Sequence, residues 1–485
     1  MSTKSAKSPK AAKKPEMFSG SGNAYFPIAI AVGFLLVVAY IIHMIFGQTE
    51  YSLIMVISAV FGGYMALNIG ANDVANNVAP AVGAKALTIV GALIIAGVFE
   101  AMGAFVAGGS VVKTISKGII DPQMLASEQV FIFLMLSALL AGALWINLAT
   151  FIGAPVSTTH SIVGAVMGAG VAAAGIGIVN WPTMATIAAS WVISPVLGGL
   201  IAAGIYWAIL VLIIEKEDKL AASRRWVPVF IGLMAAAFGM YLMMKGLKNV
   251  VSIAPVHVIM GGVALLIISP LLIRPAIRRK SAKLNNTKRD VNKLFTYPLI
   301  GSAALLSFAH GANDVANAVG PLAAVVSVLE HSGDGGVGAA AVGIPQWVML
   351  VGAVGISLGL LLFGSKIVNT VGQSITKLTH VRAYCVALSA ALTVIVATGL
   401  GLPVSSTHIA VGSIFGVGLF REWRDLYIRQ KRRKNGKKEY EHSMIKRKLV
   451  RRKHLLSIVA AWLITVPCSS LIAGVIYMGL YYSFL

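Results

Sequence analysis

Two strings in this 485-residue sequence set side chains where they could hold ions. Residues 70 to 80 read GANDVANNVAP and residues 311 to 321 read GANDVANAVGP, agreeing at nine of eleven positions. Each places Asn beside Asp with another Asn one turn on: Asn72, Asp73 and Asn76 in the first, Asn313, Asp314 and Asn317 in the second. The spacing puts Asn72 and Asn76 on one helical face, and the Gly before and Pro after permit a helix break. A second pair follows, GAPVSTTHSIVGAVMGAG at 153 to 170 and GLPVSSTHIAVGSIFGVG at 401 to 418. Pro fits the first turn of a helix, and the Ser and Thr after it lie beside that turn's unpaired amides. Such an N-terminus carries partial positive charge and suits an anion, which makes Ser157, Thr158, Thr159, Ser405, Ser406 and Thr407 candidate anion ligands. Capping of helix ends by the Asn and Asp, or back-bonding of the Ser and Thr to their own helix, would explain one copy. Two matched copies point instead to a shared site. His160 and His408 read as packing or supporting residues.

The elements that position these strings are membrane helices. Hydrophobic residues make up 57% of the chain and charged residues 12%, about half the charged share of a soluble domain. Stretches of about 20 apolar residues, the length that crosses a bilayer, recur from residue 24 onward. An ionisable group at that depth marks function, so Asp73 and Asp314, with the neighbouring amides of Asn76 and Asn317, are coupling-ion candidates. The net charge of +23 could suggest nucleic acid, but Lys and Arg cluster in short runs between apolar segments, as the positive-inside rule predicts, and no nucleic-acid partner is expected. Cys385 and Cys468 lie in apolar segments and form neither a disulfide framework nor a metal motif.

The strings also define a duplication. From Asp73 to Ser157 is 84 positions and from Asp314 to Ser405 is 91, so both motifs keep their separation. The expected organisation is a basic cytoplasmic tail (1–23), an extra span (24–47), a first repeat (52–214), a linker with two spans and a basic loop (215–295), and a second repeat (296–485). Arg274 to Lys293 holds eight Lys and Arg against one Asp, and Arg421 to Lys453 holds fifteen against four acids. Both segments, the second read as a loop over 421–454, are expected in the cytoplasm. The repeats then begin on opposite sides, which requires an odd number of crossings in each, most simply five. The fold class is therefore an all-α integral membrane protein of about 12–13 membrane segments in two inverted-topology repeats, with helices broken at the midplane. A multi-pass protein of the plasma or inner membrane with a cytoplasmic N-terminus is expected.

The duplicated GANDVAN and PVS-T/S-TH blocks resemble the inorganic phosphate transporter family, over roughly 52–214 and 296–482. That resemblance implies a symporter holding phosphate with Asn72, Asp73, Ser157, Thr158, Thr159, Asn313, Asp314, Ser405, Ser406 and Thr407. It further implies co-transported Na⁺, H⁺ or a metal cation, with Na⁺ possible at Asp73 and Asp314, and a homodimer in lipid. No prosthetic cofactor is implied, nor an enzyme: a catalytic triad needs one asymmetric constellation, whereas here the set is duplicated. Glu100 resembles a family acidic position without a partner near Ser357, which leaves the coupling ion open. A sulfate or other oxyanion permease and a passive anion channel remain alternatives on the same scaffold.

Overall fold

The computed structural model describes residues 25–154, 156–246, 253–330, 343–374, 378–434 and 452–484. The basic tail, most of the 330 to 345 loop and residues 435–451 of the second basic segment lie outside them. Among the described residues the chain is helical, with eleven helices long and apolar enough to cross a membrane. Before the duplication comes α1 (Phe26–Phe46). The first unit holds α2 (Ser52–Gly83), α3 (Ile89–Ala107), α4 (Gly109–Lys117), α5 (Glu128–Ile152), α6 (Thr158–Ala174) and α7 (Trp181–Ile209). α8 (Lys219–Tyr241), α9 (Pro255–Ser281) and the short α10 (Lys288–Leu294) link it to the second. There follow α11 (Thr296–Glu330), α12 (Gln346–Ser374), α13 (His380–Gly399), α14 (Ser406–Lys434) and α15 (Arg452–Phe484).

Local chemistry explains where the chain breaks. Gly153 ends α5 at φ +74° and Gly401 stands just beyond α13 at φ +71°, a conformation that costs glycine little and other residues more. The amide of Ala154 then returns to the Ala149 carbonyl, and that of Leu402 to Ala397, both at 2.8–2.9 Å. A few residues on, Ser157 and Ser405 start the next helices by accepting the amides of His160 (3.1 Å) and His408 (3.3 Å). The GAND segments behave differently. α2 and α11 run unbroken through them with Pro80 and Pro321 inside, so the break allowed by the sequence is not made there. Each proline lacks an N–H and leaves the carbonyl four residues earlier without its helical donor. Those carbonyls belong to Asn76 and Asn317.

The units interlock. α2 packs on α12 and α11 on α3, while α6 packs on α15 and α14 on α7. Gly70 lies against the Ile356 carbonyl and Gly311 against that of Glu100; a Cβ would come within 1.9 and 2.1 Å of these oxygens. Backbones this close bring the middle of α2 and α11 into the core, where Asp73 and Asp314 are buried. The basic segments expected as loops are partly helical: α9 continues through Arg274 and Arg278 to Ser281, and α14 continues to Lys434. Lys and Arg are good helix formers, and a helix C-terminus favours cations.

Candidate functional site

The turn between α5 and α6 meets α2 in mid-helix, and the turn between α13 and α14 meets α11 likewise. Asn72 Nδ2 donates to Thr150 Oγ1 (2.9 Å) and the Ala154 carbonyl (3.3 Å). Asn313 Nδ2 donates to Thr398 Oγ1 (2.9 Å) and the Leu402 carbonyl (3.1 Å), the same two positions in the other unit. These bonds spend the amide hydrogens and fix which way each amide faces. The two Oδ1 atoms are left buried, without a donor among the described residues.

Deeper contacts cross between units. Asn76 Nδ2 donates to Thr407 Oγ1 at 2.7 Å, and Asn317 Nδ2 to Thr158 and Thr159 Oγ1 at 3.2 and 3.3 Å. Thr158 Oγ1 lies 2.8 Å from Asp73 Oδ2 and 3.4 Å from Asp314 Oδ2, so one hydroxyl touches both carboxylates. Ser406 donates to Asp314 (3.3 Å) and Thr407 to Asp73 (3.3 Å). The first-turn residues of α6 and α14, with amides that have no partner inside their helices, thus converge on the two aspartates. Of the candidate ligands, Asn72, Asp73, Asn76, Thr158, Asn313, Asp314, Asn317, Ser406 and Thr407 gather in this buried layer. Ser157 and Ser405 cap the converging helices, and Thr159 donates to the Val404 carbonyl (3.0 Å). His160 Nδ1 stands 2.6 Å from Ser157 Oγ, and its ring lies 4.4 Å from that of His408 and 3.7 Å from that of Trp191.

One participant was not singled out from the sequence. His310 is fully buried, with Nε2 at 3.1 Å from Asp314 and 3.7 Å from Asp73, and Nδ1 at 3.2 Å from Glu100. Asn77 in turn donates to Glu100 at 2.7 Å. The available signal was the residue before each GAND string, Ile69 in one and His310 in the other. A search for what the repeats share passes over that difference. Asp73, His310 and Asp314 bring three ligand atoms within 4.8 Å of one another, close enough to hold a cation.

Buried helix N-termini facing carboxylates, in a chain whose described residues include eleven apolar helices of membrane-crossing length, mark a multi-pass membrane protein. The family is equally plain: the profile of the phosphate transporter family matches residues 69–473, and this chain belongs to that family. A Helicobacter pylori (strain J99) protein described as a "Putative phosphate permease" is 43% identical, over 93% of this chain and 95% of its own. One of the same description from Pyrococcus abyssi is 37% identical over 87% of this chain and 97% of its own. Among solved structures, one described as "The sodium-dependent phosphate transporter" superposes with a TM-score of 0.79 at 37% identity, covering 89% of this chain and all of that one.

Proposed function

We propose that the chain is a secondary active symporter that carries inorganic phosphate with Na⁺. The observation that supports this most directly is the meeting of two helix N-termini, one from each unit, at two buried aspartates whose neighbours include undonated oxygens. Phosphate is held by first-turn amides and hydroxyls of Ser157, Thr158 and Thr159 with Ser405, Ser406 and Thr407, replacing the bonds these hydroxyls make to Asn76 and Asn317. The cation takes oxygens: Asp73 and Asp314, the Oδ1 atoms of Asn72 and Asn313, and the carbonyls released by Pro80 and Pro321. Oxygen donors suit a hard ion such as Na⁺.

Charge then explains coupling. An anion about 4 Å from a carboxylate is repelled by about 4 kcal/mol at an effective dielectric of 20. Phosphate therefore binds well only with the cation, and the cation well only with phosphate, which ties their movements together. The two units, beginning on opposite sides, offer the same ligands to either face of the membrane. One observation favours a second reading, H⁺ coupling: His310 among three carboxylates is the kind of buried group that relays protons. Uptake of labelled phosphate into liposomes holding the purified protein, under an imposed Na⁺ or H⁺ gradient, decides between them. Uptake that ignores both gradients overturns symport and favours a channel.

Phosphate over sulfate follows from hydrogen bonding. Protonated phosphate can donate to Asp73 or Asp314, whereas sulfate at neutral pH has no proton to give, and a site built around one such bond can reject an analogue lacking it by about 10⁴-fold. Excess arsenate is expected to suppress uptake at pH 7 strongly and sulfate weakly. Equal suppression would favour a general oxyanion permease.

A further inference from the structure

Outside the layer of Asp73 and Asp314, four arginines line a cavity between the two linker helices. Arg224 and Arg225 of α8 and Arg274 and Arg278 of α9, with Ala221 and Ala282, line an open cavity of about 640 Å³. The arginines are exposed, and none forms an ion pair among the described residues. The nearby carboxylate of Asp218 is occupied in capping α8, where it accepts the Ala221 amide at 2.9 Å. The cavity is also braced. Arg224 Nε donates to Ser281 Oγ (2.7 Å), and the buried Ser281 hydroxyl donates to the Arg278 carbonyl (2.9 Å). Asn286 ties the chain after α9 to the start of α8, accepting the Lys219 amide and donating to the Glu217 carbonyl, both at 2.8 Å. Further along the hairpin Gly232 lies against Pro270, so the helices touch there.

We propose that this cavity binds the phosphate group of an anionic phospholipid in the cytoplasmic leaflet. Guanidinium groups bind phosphate oxygens in pairs, and four in one braced concavity exceed what a topology signal requires. A lipid is favoured over a free anion by what adjoins the cavity. On the turns of α9 leading away from Arg274, Ile267, Ile268, Leu271 and Leu272 are exposed, an apolar surface on which acyl chains can lie. Basic pockets between membrane helices on the cytoplasmic side are places where anionic headgroups bind. The site uses no residue of the transport layer and stands whether or not phosphate is the cargo.

The test uses the full chain carrying Ala282→Cys, since this exposed residue lines the cavity. Reaction of residue 282 with an uncharged maleimide is followed by peptide mass spectrometry in nanodiscs. Nanodiscs containing phosphatidylglycerol are expected to slow labelling about tenfold relative to pure phosphatidylcholine, and Arg274→Ala with Arg278→Ala to remove the difference. Arg279→Ala with Lys283→Ala deletes the same charge outside the cavity and should preserve the protection. Three results would overturn the proposal: equal rates in both lipids, equal loss in the control pair, or full protection by inorganic phosphate in phosphatidylcholine alone. The last would make this a free-anion site. Monodisperse elution of each variant shows that it is folded.

Discussion

The surroundings of the two GAND strings are alike in one layer and unlike in the next. The breaks after α5 and α13, the asparagines that hold them, the aspartates and the hydroxyls recur unit for unit. Beside Asp314, however, runs a polar chain from His310 to Glu100 to Asn77. The positions related to these by the repeat are Ile69, Ile356 and Ala318, all apolar. Ile356 corresponds to Glu100 because each backbone carbonyl is the one pressed against the matching glycine, Gly70 or Gly311. The layer of aspartates and hydroxyls is duplicated, whereas the polar chain occurs once among the described residues. Buried charges are costly to desolvate and are repaid only by good pairing, so this polar chain is a one-sided feature whose removal can be tested separately from the duplicated layer.

Removing charge from the duplicated layer should have the largest effect. Asp73→Asn and Asp314→Asn are each expected to lower phosphate uptake about a hundredfold or more, the scale of losing one partner from a buried charged cluster, while protein reaches the membrane normally. Near-normal uptake in either variant would mean that the units do not share one site.

The polar chain can be converted toward its apolar counterpart. Glu100→Ile strands the buried Nδ1 of His310 and the amide of Asn77 and is expected to cost about 3 kcal/mol of stability, whereas Glu100→Ile with His310→Ile removes one of the two stranded groups and should recover part of it. Thermal unfolding in detergent compares them. A double variant less stable than the single would break the pairing inferred here. Uptake by the stable double variant then reports whether the one-sided chain is needed for coupling.

Hydroxyls within the duplicated layer should be unequal. Thr158 touches both aspartates and accepts from Asn317, whereas among the described residues the Ser406 hydroxyl reaches Asp314 alone. Thr158→Ala is expected to reduce uptake about tenfold and Ser406→Ala about threefold, in line with about 1 kcal/mol per hydrogen bond. The reverse order would place the phosphate nearer α14. Least disturbing to transport are the probes of orientation, single cysteines at Asn286 and Ser483. An impermeant thiol reagent applied to intact cells should modify residue 483 and spare 286; the opposite pattern would contradict opposed units.

Much of this was legible because its causes are local. Apolar stretches of spanning length, helix starts at the two PVS blocks and the duplicated strings can be read without knowing what lies across the fold. His310 was not legible, since an isolated histidine in an apolar stretch looks like core until Glu100 and two aspartates surround it. Nor was the unbroken course of α2 and α11, because whether a helix tolerates an internal proline depends on what else meets the freed carbonyl.

The sequence by itself determined that this is a duplicated, all-helical membrane protein, through hydropathy and motif spacing that act over a few residues, and its duplicated blocks carry the resemblance to the phosphate transporter family. Only the tertiary structure decided which side chains meet. Asn76 reaches Thr407 and Thr158 reaches Asp314 across 331 and 156 residues, by way of close helix crossings of one unit on the other. Such contacts arise from packing complementarity over the whole core, which no local pattern records. The same packing joined α8 and α9 into a hairpin, gathering arginines about 50 positions apart into one cavity that charge counting alone had read as a sign of membrane orientation.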